Sequence, residues 1–303
     1  MLPLRDDNPT RRFAFVTLAV ILVNVAAYVL WEPTFAPNTQ AGQERQVVFL
    51  FCHAMIPWEV IHHTSLAQGG AAAREAIDQS QLFSVEPGLD AGSVVQGELQ
   101  HDCGHKSWLL SVFTAMFLHA SWLHIGGNLL FLWIFGNNVE DKLRPIKYLL
   151  FYFASGIVAT VAQVGLIHSG ANAILPNLGA SGAIAGVLGA YLVMFPRRKV
   201  LTLVFFFFIT FVYLPAFVLL AVWFVLQLFN GVGALSHSNA GGGVAVWAHI
   251  GGFTFGVVMA LLLFPKERFR QRPAPRRPDL ERKRFGLGFR RRPLPPAPEW
   301  PGY

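Results

Sequence analysis

The sequence predicts an all-α membrane protein, a bundle of six transmembrane helices with both termini in the cytoplasm. Three observations predict it. The chain has 303 residues, of which 53% are hydrophobic and 14% charged, where a soluble domain carries about 25% charged residues. It contains six long, nearly charge-free apolar runs, each suited to a bilayer core about 30 Å thick. Its Lys and Arg fall almost wholly on one side of those runs, the asymmetry that fixes orientation. The formal net charge of +7 is explained by that asymmetry and by a basic tail, so no nucleic-acid partner is expected.

The first run, Phe13–Trp31, follows Arg11 and Arg12. It is longer than the core of a cleavable signal peptide and is expected to stay as a signal anchor. The second is Ser121–Asn138, led by another apolar stretch, Ser107 to Leu118. The two together exceed one span, so the lead is expected to lie flat in the outer interface. Tyr148–Ile167 and Ser181–Phe195 supply the third and fourth spans. The fifth is set at about Phe211–Phe229, with Leu201 to Thr210 leading in and Pro215 interrupting the stretch. Val246–Phe264 is the sixth.

With the N-terminus inside, 21 of the 24 basic residues are cytoplasmic, and only Arg45, Arg74 and Lys106 lie outside. Residues 1–12 then form a cytoplasmic N-terminus and 13–264 the membrane domain. Within it, 32–107 form an external loop whose interfacial segment runs on to 120. The loop's Gln68-Gly69-Gly70-Ala71-Ala72-Ala73 and the stretch up to Gln100 look weakly structured. The tail 265–303 has nine prolines and twelve basic residues. It reads as a disordered cytoplasmic segment able to hold anionic lipids at about 1 kcal/mol per nearby charge. The expected location is a plasma or inner membrane.

Polar groups inside hydrocarbon need a partner or a task. His124 and Asn128 stand in the second span with His119 just before it, Ser181 opens the fourth, and His249 lies near the outer end of the sixth. Counted from the cytoplasmic charges at about 1.5 Å per residue, Ser181, His249 and His124 sit roughly 24–26 Å up and Asn128 roughly 18 Å. All four share one outer layer. Gly182 and Gly186 on the fourth span, with Gly252 and Gly256 on the sixth, let two helix backbones approach closely. Ser181 and His249 are thereby brought within reach. Neutral His249 can take the serine proton and return it to a leaving amine. Asn128, His124 and the Ser181 amide can receive the charge that builds on a carbonyl oxygen. With no membrane Asp or Glu to orient His249, a dyad is expected, and the chemistry needs no cofactor.

Taken singly these residues have plainer readings: a serine N-cap, a histidine satisfying a carbonyl, an asparagine tying two helices. Their shared depth favours catalysis. Cys52 and Cys103 allow a disulfide, two free thiols or, with His53, His101 and His105, a zinc site. An external loop faces an oxidising compartment, where such a bridge can form and persist, and the bridge and the free thiols both stay open; no metal is expected.

Three motifs together resemble the rhomboid family of intramembrane serine proteases, and the likeness covers roughly Trp108 to Phe264. They are His119, His124 and Asn128 in the second span, Gly179-Ala180-Ser181-Gly182 opening the fourth, and Ala248-His249 with Gly252 and Gly256 in the sixth. A bacterial member is expected. The resemblance implies Ser181 as nucleophile, His249 as base, His124 and Asn128 in the oxyanion hole, and His119 and Gly179 in support. It implies a structural role for Glu140, a wet cavity open to the external side, and single-span membrane proteins as substrates. Small residues are expected before the cut bond. Ala185 replaces an aromatic residue that in some members stacks on the histidine. The competing reading is a non-catalytic rhomboid-like protein that binds membrane helices; a small transporter ranks lower.

Overall fold

The computed structural model describes residues 1–33, 39–80, 90–167, 170–205, 209–236 and 245–265. The basic tail beyond Pro265 lies outside the described residues, and with it the expectation of disorder there. The chain opens with β1 (Leu2–Asp6), followed by α1 (Phe15–Ala26), which runs on as a π-helical turn to Trp31. Glu140 holds the start of α1: its carboxylate accepts the Val16 and Thr17 amides at 3.0 and 2.7 Å and the Thr17 hydroxyl at 2.7 Å. A carboxylate at free amides of a first turn meets both their hydrogen-bond need and the helix dipole.

Four helices then fill the loop after the first apolar helix: α2 (Gln40–His53), α3 (Pro57–His62), α4 (Gly70–Ser80) and α5 (Ala91–Cys103). This corrects the expectation of weak structure from Gln68 to Gln100, apart from 81–89, which lie outside the described residues. The helices enclose a core of their own, built on Ile56, Trp58, Leu66, Ile77, Val95 and Leu99. Buried Gln96 donates to the Leu66 and Gly70 carbonyls at 3.0 and 3.1 Å and accepts Arg74 Nε at 2.6 Å. Lys106 Nζ reaches Glu59 at 2.7 Å and the Phe51 carbonyl at 2.6 Å. Cys52 and Cys103 form a disulfide, Cα to Cα 4.9 Å, across 51 positions of sequence.

Next come α6 (Trp108–Thr114) with a 3-10 turn to Phe117, then α7 (Trp122–Phe131), a π-helical stretch and α8 (Asn137–Leu143). The two apolar halves meet at a bend of 78°. Ser121 accepts the His124 amide at 3.2 Å and caps α7. Then follow α9 (Pro145–Leu166), with proline in its first turn where its missing N–H costs nothing, the short α10 (Ala171–Ile174) and α11 (Ser181–Met194). Eleven of the fourteen α11 residues are buried, so α11 is the central helix, flanked by α9 and α13 (Val246–Leu263).

The region before the fifth span departs from the sequence reading. Lys199–Phe205 (β2) and Ile209–Pro215 (β3) pair antiparallel, with Val200 opposite Leu214 and Phe205 opposite Ile209. β1 adds to the free side of β2, Asp6 opposite Val200, so the fold is not all-α. Asp6 ties the sheet to the bundle, accepting Tyr191 Oη at 2.7 Å and Asn138 Nδ2 at 2.8 Å. Short apolar runs do not distinguish strand from helix by hydropathy. Here the β-branched and aromatic residues of Val200–Tyr213 decide for strands. The following helix, α12 (Ala216–Ser236), therefore begins after Pro215 and not at Phe211.

Among the described residues, Pro145–Leu166 and Val246–Leu263 are each long and apolar enough to cross a bilayer, and the bent pair Trp108–Phe117 with Trp122–Leu143 makes a third candidate. Phe15–Trp31, Ser181–Met194 and Ala216–Gly231 are apolar but shorter.

Candidate active site

Glycine carbonyls and missing side chains set the distance between α11 and α13. A Cβ on Gly252 would run into the Gly182 carbonyl oxygen, and one on Gly256 into that of Gly186. From α9, Ala159 Cβ would stand 2.7 Å from a Cβ on Gly182. Three backbones therefore touch with almost nothing between them, the close approach that small residues permit in membranes. Gln163 of α9 accepts the Ala248 amide at 3.2 Å, satisfying a free N–H at the start of α13.

This packing aligns the two helix starts. His249 Nε2 lies 2.7 Å from Ser181 Oγ, and the His249 ring is buried. Ser181 is the first residue of α11, preceded by Ala180 without a side-chain cap, so its N–H is one of the amides a helix start leaves open. The segment leading into it is held from two sides. The Asn177 amide donates to the Met55 carbonyl at 2.7 Å, and the Gly179 amide to the Ala115 carbonyl at 2.8 Å. Gly179 has φ +117, a conformation side chains avoid. A Cβ there would also lie 2.9 Å from His124 Nε2 and 3.6 Å from Ser181 Oγ.

His124 is thus aimed at the same spot as the serine. Its Nδ1 accepts the Ala120 amide at 3.4 Å, which places the proton on Nε2, facing Gly179. Asn128, one helical turn below, is buried, and its Nδ2 has no acceptor among the described residues. His119 is fully buried with its ring centroid 5.1 Å from that of His124, edge to face. Its amide donates to Glu32 Oε1 at 3.0 Å and its Nδ1 to the Phe117 carbonyl at 3.2 Å. Beside Ser181 lies a cavity of about 40 Å³ walled by Met55, Ala115, Met116, Gly156, Gly179 and Gly182.

The structure therefore brings Ser181, His249, His124 and Gly179 together, with His119 behind His124. A serine hydroxyl against a histidine nitrogen, beside inward N–H donors, is an arrangement able to attack a carbonyl. Ala185 gives His249 no ring, as noted from the sequence. The aromatic neighbour comes from α12, where Trp223 stands 5.9 Å away by centroids, and Gln227 Oε1 lies 3.1 Å from His249 Nδ1. Sequence reasoning missed both residues. The available signal was that Gln227 is the one amide in the apolar run Ala216–Phe229, and a polar group in a membrane helix calls for a partner. No group of three or more possible metal ligands occurs among the described residues.

Comparison with known proteins gives the chain its family. A family model described as Rhomboid domain matches residues 106–266, and the chain belongs to the rhomboid family. It is 35% identical over 97 residues to Rhomboid protein 1, mitochondrial, of Saccharomyces cerevisiae, covering 32% of this chain and 28% of that one. With RHOMBOID-like protein 1 of Arabidopsis thaliana it shares 30% identity over 176 residues, 57% of this chain and 40% of the relative. With the human Presenilin-associated rhomboid-like protein, mitochondrial, the figures are 28% over 156 residues, 49% and 35%. The match spans well under half the length of each of these relatives. All three are eukaryotic and two are named mitochondrial, so they support neither a bacterial origin nor a plasma-membrane location.

Proposed function

We propose that this protein is an intramembrane serine endopeptidase that cuts single-span membrane proteins near the outer end of their helix. The observation that carries the reading is the 2.7 Å contact between Ser181 Oγ and His249 Nε2. His249 takes the hydroxyl proton as Oγ bonds to the scissile carbonyl carbon, and the negative charge moves to the carbonyl oxygen. The Ser181 N–H, His124 Nε2 and Asn128 Nδ2 supply hydrogen bonds to that oxygen. His249 then gives its proton to the departing amine, leaving an acyl-serine. Water, deprotonated by the same imidazole, releases it and restores the serine. A cavity of about 40 Å³ beside the serine favours a small side chain before the cut bond.

The reading includes six spans with both ends cytoplasmic, since the basic residues flank α1, α8 and α11 on one side and the disulfide-bonded loop occupies the other. That loop suits a membrane whose far side is oxidising. A non-catalytic helix binder would have no use for a buried hydroxyl paired to an imidazole beside open donors.

The test is cleavage of single-span substrates by purified protein in liposomes, with fluorophosphonate labelling of the serine. Ser181→Ala and His249→Ala should each lower cleavage at least about a thousandfold while both variants remain folded, and Ser181→Ala should lose the label. Undiminished cleavage by both variants would end the proposal.

A further inference from the structure

A histidine serves as base at Nε2 only while the ring's other nitrogen, Nδ1, carries the proton. In hydrolytic triads a carboxylate fixes that tautomer. Among the described residues no carboxylate pairs with His249. The side chain at Nδ1 is Gln227, with Oε1 at 3.1 Å, and a glutamine oxygen can only accept. The two ring nitrogens of His249 meet Ser181 Oγ of α11 and Gln227 Oε1 of α12.

Resting on the protease reading, we propose that Gln227 is the positioning residue of the dyad, fixing His249 as the Nδ1–H tautomer with its Nε2 lone pair on Ser181. Placement of the amide is specific. On α12 the neighbouring Val225, Leu226, Leu228 and Phe229 are exposed to the surroundings while Gln227 turns inward and is half-buried. Trp223, one turn earlier on the same face, flanks the imidazole and packs with Phe253 of α13, centroids 5.8 Å apart. Phe224 stacks on Phe253 at 4.6 Å. These contacts hold α12 in register with α13, so the amide and the ring meet without relying on a flexible loop. An amide carries no charge, so it selects the tautomer while stabilising the imidazolium less than a carboxylate would.

Gln227→Leu removes the acceptor at nearly constant volume. It should lower kcat about tenfold or more with KM changed less than twofold, and slow fluorophosphonate labelling of Ser181 in the same proportion. Gln227→Glu restores an acceptor. It should recover labelling and move the acidic limb of the kcat/KM profile to higher pH, because a carboxylate favours imidazolium. Wild-type kcat and an unchanged profile in Gln227→Leu would overturn the proposal. So would a Gln227→Glu that is as slow as Gln227→Leu with the wild-type acidic limb, since a packing role alone gives that result. Should the parent protein itself neither cleave nor label at Ser181, the protease reading fails instead, and the two failures are distinct.

Discussion

Around α11 polar side chains are few, and several meet one another or a helix start: Ser181 with His249, His249 with Gln227, Gln163 with the first turn of α13. In α2 to α5 polar side chains are many, and most are exposed. The stable part is a small apolar core, closed by the buried pair Lys106–Glu59 and the Cys52–Cys103 bond. The surroundings explain the difference. In a bilayer every unpaired polar group is costly, so the few present are kept by packing and by task. In water an exposed polar residue costs nothing, and the outer helices must draw stability from apolar burial and cross-links.

The sharpest way to break the comparison is to place a side chain where the membrane helices touch. Gly256→Val would push two methyls at the Gly186 carbonyl, backbone that cannot turn aside. Overpacking of this kind costs about 1–3 kcal/mol where neighbours can shift, and more is expected here. Ser181 should lose fluorophosphonate labelling entirely, while the disulfide, scored by non-reducing mass analysis, still forms. Retained labelling in the folded variant would show that α11 and α13 do not need this contact.

A smaller effect is expected from the outer helices. Cys52→Ser with Cys103→Ser opens a closed loop of about 50 residues, worth about 4 kcal/mol in the chain-entropy treatment. The consequence reaches the site by a short route. Cys52 lies in the last turn of α2, three residues before Met55, whose carbonyl holds the Asn177 amide in the segment entering Ser181. Cleavage should fall severalfold and partial proteolysis should open the loop first, whereas labelling of Ser181 persists. Equal loss of labelling in this variant and in Gly256→Val would erase the distinction between the two regions.

The same contrast governs what could be read from the sequence. Ser181, His249, His124 and Asn128 are conspicuous because polar residues in long apolar runs are rare, and counting along helices puts them at one depth. Gln227 meets the same criterion, but the strands between Lys199 and α12 leave no cytoplasmic charge from which to count its depth. The outer helices were harder. Their inward residues come as single pairs four apart, Ala73 with Ile77 and Val95 with Leu99, too brief a stripe to stand out among glycines and alanines. They are stabilised by partners distant in sequence, such as Trp58 and Leu66. The hairpin Lys199–Pro215 is illegible for another reason: apolarity alone fits a strand as well as the lead of a span, and its pairing with β1 joins residues nearly 200 positions apart.

Where the two regions meet, just past the first span, one carboxyl gives the smallest and most specific test. Glu32 is 3% exposed and its Oε1 accepts the His119 amide at 3.0 Å. Burial pushes its carboxyl up to about 7 from an ordinary 4.5, against the opposing pull of that amide. A raised value in the folded state means the folded protein binds the proton more tightly than the unfolded chain. The resulting stability is complete below about pH 4.5 and is lost as pH rises through 7. The melting temperature of the parent protein should therefore fall by a few degrees between about pH 5 and pH 8. Glu32→Gln stays neutral throughout, so its curve should be flatter over that range and lie above the parent's at pH 8. Since His119 backs His124, cleavage at pH 8 should change less than twofold in this variant. A steep pH dependence retained in Glu32→Gln would show that the titrating group at the seam is another one.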